Sequence, residues 1–173
     1  MLASVGKIIE VILPTFTIIS CLAPLLRIGA VPVFVDADSL TWNMNIEQVE
    51  DKITSRSKAI MAVHIYGLPV EMEPLLLLAK KYGLKVIEDA AEALGSSVKG
   101  KKSGSIADSA VFSFTGNKVL TTGEGGAIVT HSEKIFEKLF ASKYSATGNT
   151  AIVAKKNLEK LNVKGPIVPI PVV

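Results

Sequence analysis

Short apolar runs alternate with amphipathic segments along most of the chain. The apolar runs predict strands at residues 11–13, 31–35, 59–63, 84–87, 110–114 and 126–130. The amphipathic segments predict helices at residues 15–28, 45–53 and 71–82, a helix opening at Ser132, and a short helix at 151–161. Strands and helices that alternate at this spacing form βαβ units. The predicted fold class is therefore α/β, a mostly parallel sheet with helices on both faces.

The ends of these helices carry typical boundary residues. Thr15 or Thr17 is expected to cap the first helix and Asn45 the second, while Gly83 is expected to end the third. Pro24 lies inside the first helix, where it removes a backbone donor and predicts a kink or two separate pieces.

The character of the sequence changes near residue 141. Residues 144–150 are turn-like, and the prolines in residues 165–173 are incompatible with a central strand. We therefore expect a cofactor-binding part over residues 1–140 and a divergent tail over residues 141–173.

Composition and charge exclude several classes of function. The chain has 173 residues with 49% hydrophobic residues, enough for one domain with a buried sheet. The net charge is only +3, and the basic run at residues 99–102 is interpreted as a solvated turn, so no nucleic-acid partner is expected. Prolines and charges interrupt the apolar stretch at residues 8–35, so no membrane span is expected. Cys21 is the only cysteine, which excludes an internal disulfide and fits a cytoplasmic protein.

Candidate chemistry lies just beyond the strands, because ligands of parallel sheets bind outside the carboxyl ends of the strands. This rule selects Asp36 and residues 64–66, 89–92 and 113–118. Two histidines and one cysteine are too few for a usual zinc site, so no metal is expected.

Three of these residues suit one cofactor. Asp89 can keep a pyridinium nitrogen protonated, Lys118 is a candidate Schiff-base amine, and Ser113 with neighbouring amides can hold a phosphate. Taken singly, each has a structural interpretation: a turn-capping aspartate, a surface lysine and a core serine. His64 alone is expected to be structural. The residue pattern alone therefore predicts only an α/β domain that binds a ligand.

At these positions the sequence resembles the DegT/DnrJ/StrS sugar aminotransferases, within them the perosamine-synthase-like group. The matching segments are residues 14–17, 33–36, 58–60, 63–67, 88–92, 112–114, 116–118 and 121–126. The resemblance implies part of the large domain of a fold-type I pyridoxal-phosphate transferase, similar to aspartate aminotransferase.

The resemblance also implies roles for single residues. Lys118 would hold pyridoxal 5'-phosphate as a Schiff base and move the proton. Asp89 would pair with the ring nitrogen, Ser113 would bind the phosphate, and Glu92 would lie near the ring's substituents. The implied substrates are a nucleotide-linked keto-deoxysugar and an amino acid, typically glutamate, and the implied assembly is a homodimer.

The sequence also departs from the family. Ile18 stands where an aromatic residue often covers the cofactor. An upstream Gly-Thr segment and the smaller C-terminal domain are not recognised, so the chain is expected to be a truncated member. Two alternatives stay open: a catalytically silent remnant or partner-binding fragment, and an enzyme of the same fold that acts on an amino acid.

Overall fold

A computed structural model describes residues 8–143 and 151–155 of the protein. Seven strands form one sheet, and two short strands form a separate hairpin. The strands are β1 (Glu10–Pro14), β2 (Val31–Val35), β3 (Ser57–Val63), β4 (Lys85–Asp89), β5 (Ser97–Val98), β6 (Lys101–Lys102), β7 (Ser109–Ser113), β8 (Gly126–Thr130) and β9 (Ala151–Lys155).

The large sheet has the order β2-β1-β3-β4-β7-β8-β9. The strands from β2 to β7 are parallel to one another, whereas β8 runs antiparallel to β7 and β9 runs parallel to β8. The carboxyl ends of β1, β3, β4 and β7 therefore meet at one edge of the sheet. The start of β8 lies at the same edge, because Ser113 pairs with Gly126.

Three α-helices accompany the sheet: α1 (Ile19–Arg27), α2 (Met72–Tyr82) and α3 (Glu133–Lys143). Successive strand residues face opposite sides of a sheet, and each side here has its own apolar cluster. One cluster joins Ile12, Ile60 and Val86 of the sheet to Leu75 and Ala79 of α2. The other joins strand residues such as Leu13 to Cys21 and Leu25 of α1. The prediction of helices on both faces is confirmed.

Several predicted boundaries agree with the structure. The strand at residues 31–35 and the strand at residues 126–130 have the expected limits. Gly83 ends α2 with a φ of 66°, the left-handed conformation that glycine adopts at little cost. The basic run lies in the exposed hairpin of β5 and β6: Lys99 and Gly100, both with positive φ, form the turn, and Lys101–Lys102 form β6.

The first predicted helix needs correction. It begins at Ile19 with Ile18 as the N-cap residue, and no side chain caps it. The expected caps bind elsewhere, since the Thr15 hydroxyl donates to Asp36 and the Thr17 hydroxyl donates to the sulfur of Cys21. Of the kink or two pieces expected at Pro24, the two pieces are not observed, because α1 is one element that contains Pro24.

Two other helix predictions are wrong in type. Asn45 caps the following turn as expected, with its side chain accepting from the amide of Glu47 at 3.1 Å. However, residues 46–48 and 50–52 form two 3-10 turns where an α-helix was predicted. Residues 151–155 form β9 beside β8 where a helix was predicted, because pairing with the sheet edge decides their conformation.

The other predictions for the tail, at residues 144–150, 156–161 and 165–173, lie outside the described residues, and the division at residue 140 stays a prediction. None of the helices that the structure describes is long and apolar enough to cross a lipid bilayer.

Candidate active site

A cavity of about 280 Å³ opens at the carboxyl edge of the sheet, where β1, β3 and β4 end. It lies where the strand-end rule places ligands in an α/β sheet. Its walls combine apolar side chains with two carboxylates and one amine. The lining residues are Phe16, Thr17, Ile18, Val63, His64, Ile65, Tyr66, Asp89, Ala91, Glu92 and Lys118.

Asp89 is the last residue of β4, and its side chain is held on both oxygens. The amide of Ala91 donates to Oδ1 at 2.9 Å, and the thiol of Cys21 donates to Oδ2 at 2.9 Å. The residue is only 9% exposed. A carboxylate has about four acceptor positions, so Asp89 keeps acceptor capacity for a ligand in the cavity.

Lys118 comes from the loop 114–125 between β7 and β8. Hydrogen bonds brace this loop: the amide of Lys118 donates to the carbonyl of Thr115 at 3.0 Å, and the amide of Thr122 donates to the carbonyl of Phe114 at 3.0 Å. The side chain of Lys118 is 11% exposed, and its Nζ lies 3.2 Å from Oε1 of Glu92. The lysine is therefore directed into the cavity and is not a solvated surface residue.

Glu92 connects that lysine to a strained turn. Its Oε2 accepts from the backbone amide of Tyr66 at 3.0 Å. Tyr66 has a φ of 49°, an uncommon conformation for a residue with a side chain. Such strain concentrates at functional sites, where surrounding contacts maintain it. Glu92 thus links the end of β3 to the lysine loop.

The structure brings together three of the four predicted site residues, Asp89, Glu92 and Lys118. Ser113 is not among the residues that line the cavity. It lies on the same face of the sheet as Asp89, because Asp89 pairs with Val111 and alternate residues share a face. Its hydroxyl lies 3.1 Å from that of Thr115. Asp36 is also outside the cavity lining.

His64 lines the cavity, but both of its ring nitrogens are bonded within the fold. Its Nδ1 accepts from the amide of Val70 at 3.0 Å, so its proton is on Nε2, which lies 3.1 Å from Oε2 of Glu88. Both side chains are fully buried. The imidazole therefore holds a carboxylate and connects β3 to β4.

Sequence reasoning assigned no role to Glu88. Besides His64, it accepts from the amides of Gly104 at 2.6 Å and of Ile106 and Ala107 at 2.7 Å each. Burial alone would raise the pKa of Glu88, but these hydrogen bonds outweigh it and hold the pKa below its ordinary value. Because neighbouring strand residues face opposite sides, Glu88 fixes the chain entering β7 while Asp89 faces the cavity.

Cys21 was also missed as a site neighbour. It lies in α1, is 4% exposed and reaches Asp89 across 68 positions of the sequence. Burial first, and the adjacent Asp89 second, raise the pKa of its thiol to about 12. The sequence contains no periodic signal for this contact, which depends on how α1 crosses the sheet.

Comparison with known proteins identifies the family. The model of the DegT/DnrJ/EryC1/StrS aminotransferase family matches residues 1–162. The chain belongs to this family. Its members are pyridoxal-phosphate-dependent aminotransferases, and the sheet described above is that of their large domain.

Named members of the aminotransferase family are similar to this chain in sequence. GDP-perosamine synthase of Escherichia coli O157:H7 is 50% identical over 129 residues, which are 75% of this chain and 35% of that protein. GDP-perosamine synthase of Caulobacter vibrioides is 49% identical over 130 residues, with 75% and 35% covered. The chain thus spans about a third of the length of these relatives.

Solved structures of the family agree with the fold. An aminotransferase from Psychrobacter cryohalolentis superposes with a TM-score of 0.77 at 37% identity, over 83% of this chain and 36% of that one. DesI, determined in the presence of its TDP-sugar product, superposes with a TM-score of 0.76 at 37% identity, over 80% and 36%. The predicted recognition and fold class are confirmed.

The residues of the cavity fit the cofactor of the family. A shielded amine, a buried carboxylate with free acceptor capacity and a small apolar wall at Ala91 are what a flat pyridinium aldehyde requires. Ile18 lines the cavity and supplies apolar cover. In the part of the chain that the structure describes, no three histidine, cysteine, aspartate or glutamate side chains are placed to hold a metal ion.

Proposed function

We propose that this protein is a pyridoxal-phosphate-dependent aminotransferase that moves an amino group, with glutamate as donor, to a keto group on a nucleotide-linked deoxysugar. The observation that supports it is the meeting of Lys118 with Asp89 and Glu92 in one cavity, from two different strand ends. The relatives named GDP-perosamine synthase support a nucleotide-linked sugar as the acceptor.

Lys118 is proposed to hold the cofactor as a Schiff base. When bound, pyridoxal phosphate supplies an electron sink for the carbon next to the amino nitrogen. The freed Lys118 amine would take the proton from the α-carbon of the amino donor and pass it to the cofactor. In the second half of the reaction the same amine would move a proton from the cofactor to the sugar carbon that receives the amino group. Glu92, 3.2 Å from that amine, would keep it in place between the two proton movements.

Asp89 is proposed to accept a hydrogen bond from the ring nitrogen and to keep that nitrogen protonated. Its side chain is buried, so its charge would act in a medium of low polarity, where electrostatic contacts are strong. Ser113 is proposed to donate a hydrogen bond to the phosphate from the same face of the sheet.

Cofactor labelling tests the lysine assignment. The full chain is mixed with pyridoxal phosphate, reduced with borohydride and digested, and the modified peptide is identified by mass spectrometry. We expect one label per chain on Lys118 and none in Lys118→Ala. Lys99→Ala is the matched control, because that lysine is exposed and should leave the labelling unchanged. A label of equal yield in Lys118→Ala would contradict the assignment.

Asp89→Asn separates binding from chemistry. The variant should retain cofactor uptake in part and lose most of the proton-transfer rate, since a neutral amide stabilises a protonated ring nitrogen poorly. The rate is measured as the single-turnover loss of absorbance after glutamate is added. A variant with wild-type rate would contradict the role of Asp89.

A substrate panel addresses the alternatives. Transfer from glutamate to GDP-, dTDP- or UDP-linked keto-sugars, with no transfer to keto acids of other amino acids, would support the proposal. Transfer restricted to keto acids would favour an enzyme that acts on an amino acid. No label on Lys118 and no transfer would favour a catalytically silent or partner-binding protein.

The proposed assembly is a homodimer that acts in the cytoplasm and makes amino sugars for polysaccharides. Light scattering after size-exclusion chromatography measures the mass of the assembly. A monomer with full activity would contradict the dimer.

A further inference from the structure

Cys21 occupies a place in the site that neither its residue type nor its distance in sequence suggests. Its sulfur is 2.9 Å from Oδ2 of Asp89, the carboxylate proposed to face the ring nitrogen. The hydroxyl of Thr17 donates to the same sulfur at 3.0 Å. We propose that Cys21 is a positioning residue of the cofactor site, whose thiol fixes the orientation of the Asp89 carboxylate. The inference rests on the proposed function.

The direction of the hydrogen bonds follows from the donors present. A carboxylate accepts only, and the Thr17 hydroxyl already donates to the sulfur, so the thiol hydrogen points to Asp89. The pKa of the thiol is raised to about 12, by burial and then by Asp89, so the thiol stays protonated at neutral pH. Cys21 is therefore a donor at working pH and not a nucleophile.

Two donors, one on each oxygen, define the plane of the carboxylate. The terminal torsion angle of an aspartate has a broad distribution when no contact restrains the carboxylate. Here the Ala91 amide binds Oδ1 and the Cys21 thiol binds Oδ2, both at 2.9 Å. Without the thiol, one oxygen would be free to turn away from the cavity, and the contact with a ring nitrogen would be populated for less of the time.

The position of the thiol is set by packing. Cys21 and Leu25 are four residues apart on α1 and are both buried in the apolar cluster between the helix and the sheet. The helix therefore carries the donor to the end of β4 as a consequence of how it packs. A change in packing and a loss of the donor must be distinguished in any test.

A pair of substitutions makes this distinction. Cys21→Ser keeps a donor and loses apolar volume, whereas Cys21→Val keeps apolar volume and loses the donor. The affinity for pyridoxal phosphate is measured by equilibrium dialysis, and unfolding without cofactor shows that each variant is folded. We expect Cys21→Val to lower the affinity about tenfold, the effect of one hydrogen bond to a charged group. Cys21→Ser should remain within about threefold of the wild type.

Asp89→Asn provides the second measurement. If Cys21 acts through the Asp89 carboxylate, Cys21→Val should change the affinity less than about twofold in the Asp89→Asn background. Equal effects in both backgrounds, or tighter binding by Cys21→Val than by Cys21→Ser, would overturn the inference. If the wild type is labelled on Lys118 but Cys21→Val and Cys21→Ser have the same affinity for pyridoxal phosphate, the inference about Cys21 fails and the proposed function stands. If the wild type takes up no cofactor, the proposed function fails, and the inference with it.

Discussion

Replacing Glu88 by glutamine tests how much the buried hydrogen-bond network behind the site contributes to the stability of the fold. All four partners of the Glu88 carboxylate are N–H donors: the His64 ring and the amides of Gly104, Ile106 and Ala107. Two donors face each oxygen. The amide nitrogen of glutamine is itself a donor and would face two N–H donors, whichever oxygen it replaces. Two hydrogen bonds are therefore lost in either orientation of the amide.

The expected loss of stability is large for a change of one atom. Hydrogen bonds to charged groups contribute about 1.5–3 kcal/mol each, and breaking a buried charge network costs about 3–5 kcal/mol. We expect Glu88→Gln to lower the free energy of unfolding by about 3–5 kcal/mol. The measurement is guanidinium unfolding of the full chain without cofactor, followed by circular dichroism.

Glu73→Gln is the matched control for the same chemical change. Glu73 pairs with Lys99 at 2.7 Å, but both side chains are 66% exposed, so its loss should cost less than about 1 kcal/mol. If Glu88→Gln costs no more than Glu73→Gln, the reasoning about donor count and burial is refuted.

The same network predicts a pH dependence with a definite sign. The folded-state pKa of Glu88 lies below 4.5, so its contribution is complete above that pH and is lost as the pH falls through the folded value. The gap in stability between wild type and Glu88→Gln should therefore narrow below about pH 4.5. A gap that stays constant down to pH 2 would show that the charge of Glu88 does not matter.

Two further predictions concern stability. Gly104→Ala should lower the free energy of unfolding in urea by about 2–4 kcal/mol, because the φ of Gly104 is +78° and a Cβ would lie 2.2 Å from the ring of Phe112. Gly95 also has a positive φ, but a Cβ there would meet open space, so Gly95→Ala should cost less. A smaller loss for Gly104→Ala than for Gly95→Ala would contradict this reasoning. The raised pKa of Cys21 predicts that its contribution is complete below about pH 9 and is lost as the pH rises through about 12. The stability of the wild type should fall relative to Cys21→Ser over that range, and parallel curves would count against it.

The sequence predicts strand positions well here because the buried strands are short apolar runs between glycines, prolines and charges. It also predicts Gly83 as a helix end, because the left-handed conformation that ends many helices favours glycine. The start of α1 was placed too early, because the threonine hydroxyls have better partners in Asp36 and Cys21 than in the helix amides.

The candidate site is only partly encoded in local pattern. Asp89 and Lys118 were selected by strand ends and by resemblance, and the structure brings them to one cavity. The adjacent pair Glu88 and Asp89 shows why local pattern is insufficient. Two acids end the same strand, and only the packing on each face decides which one is structural. The Cys21 contact depends on how α1 lies across the sheet, which no spacing along the chain reveals.

The reversal of chain direction at β8 has a consequence for how this site can change. Because Ser113 and Gly126 are paired neighbours, the loop 114–125 leaves the sheet and returns to it at the same point. Internal contacts such as the bridge between Thr115 and Gly123 hold the loop together, and the Lys118 side chain joins it to Glu92. Insertions or exchanges within it would leave the strand registers unaltered. The parts of the loop around Lys118 can therefore vary in length and sequence, and the mouth of the cavity with them, without a shift in the pairing of β7 with β8.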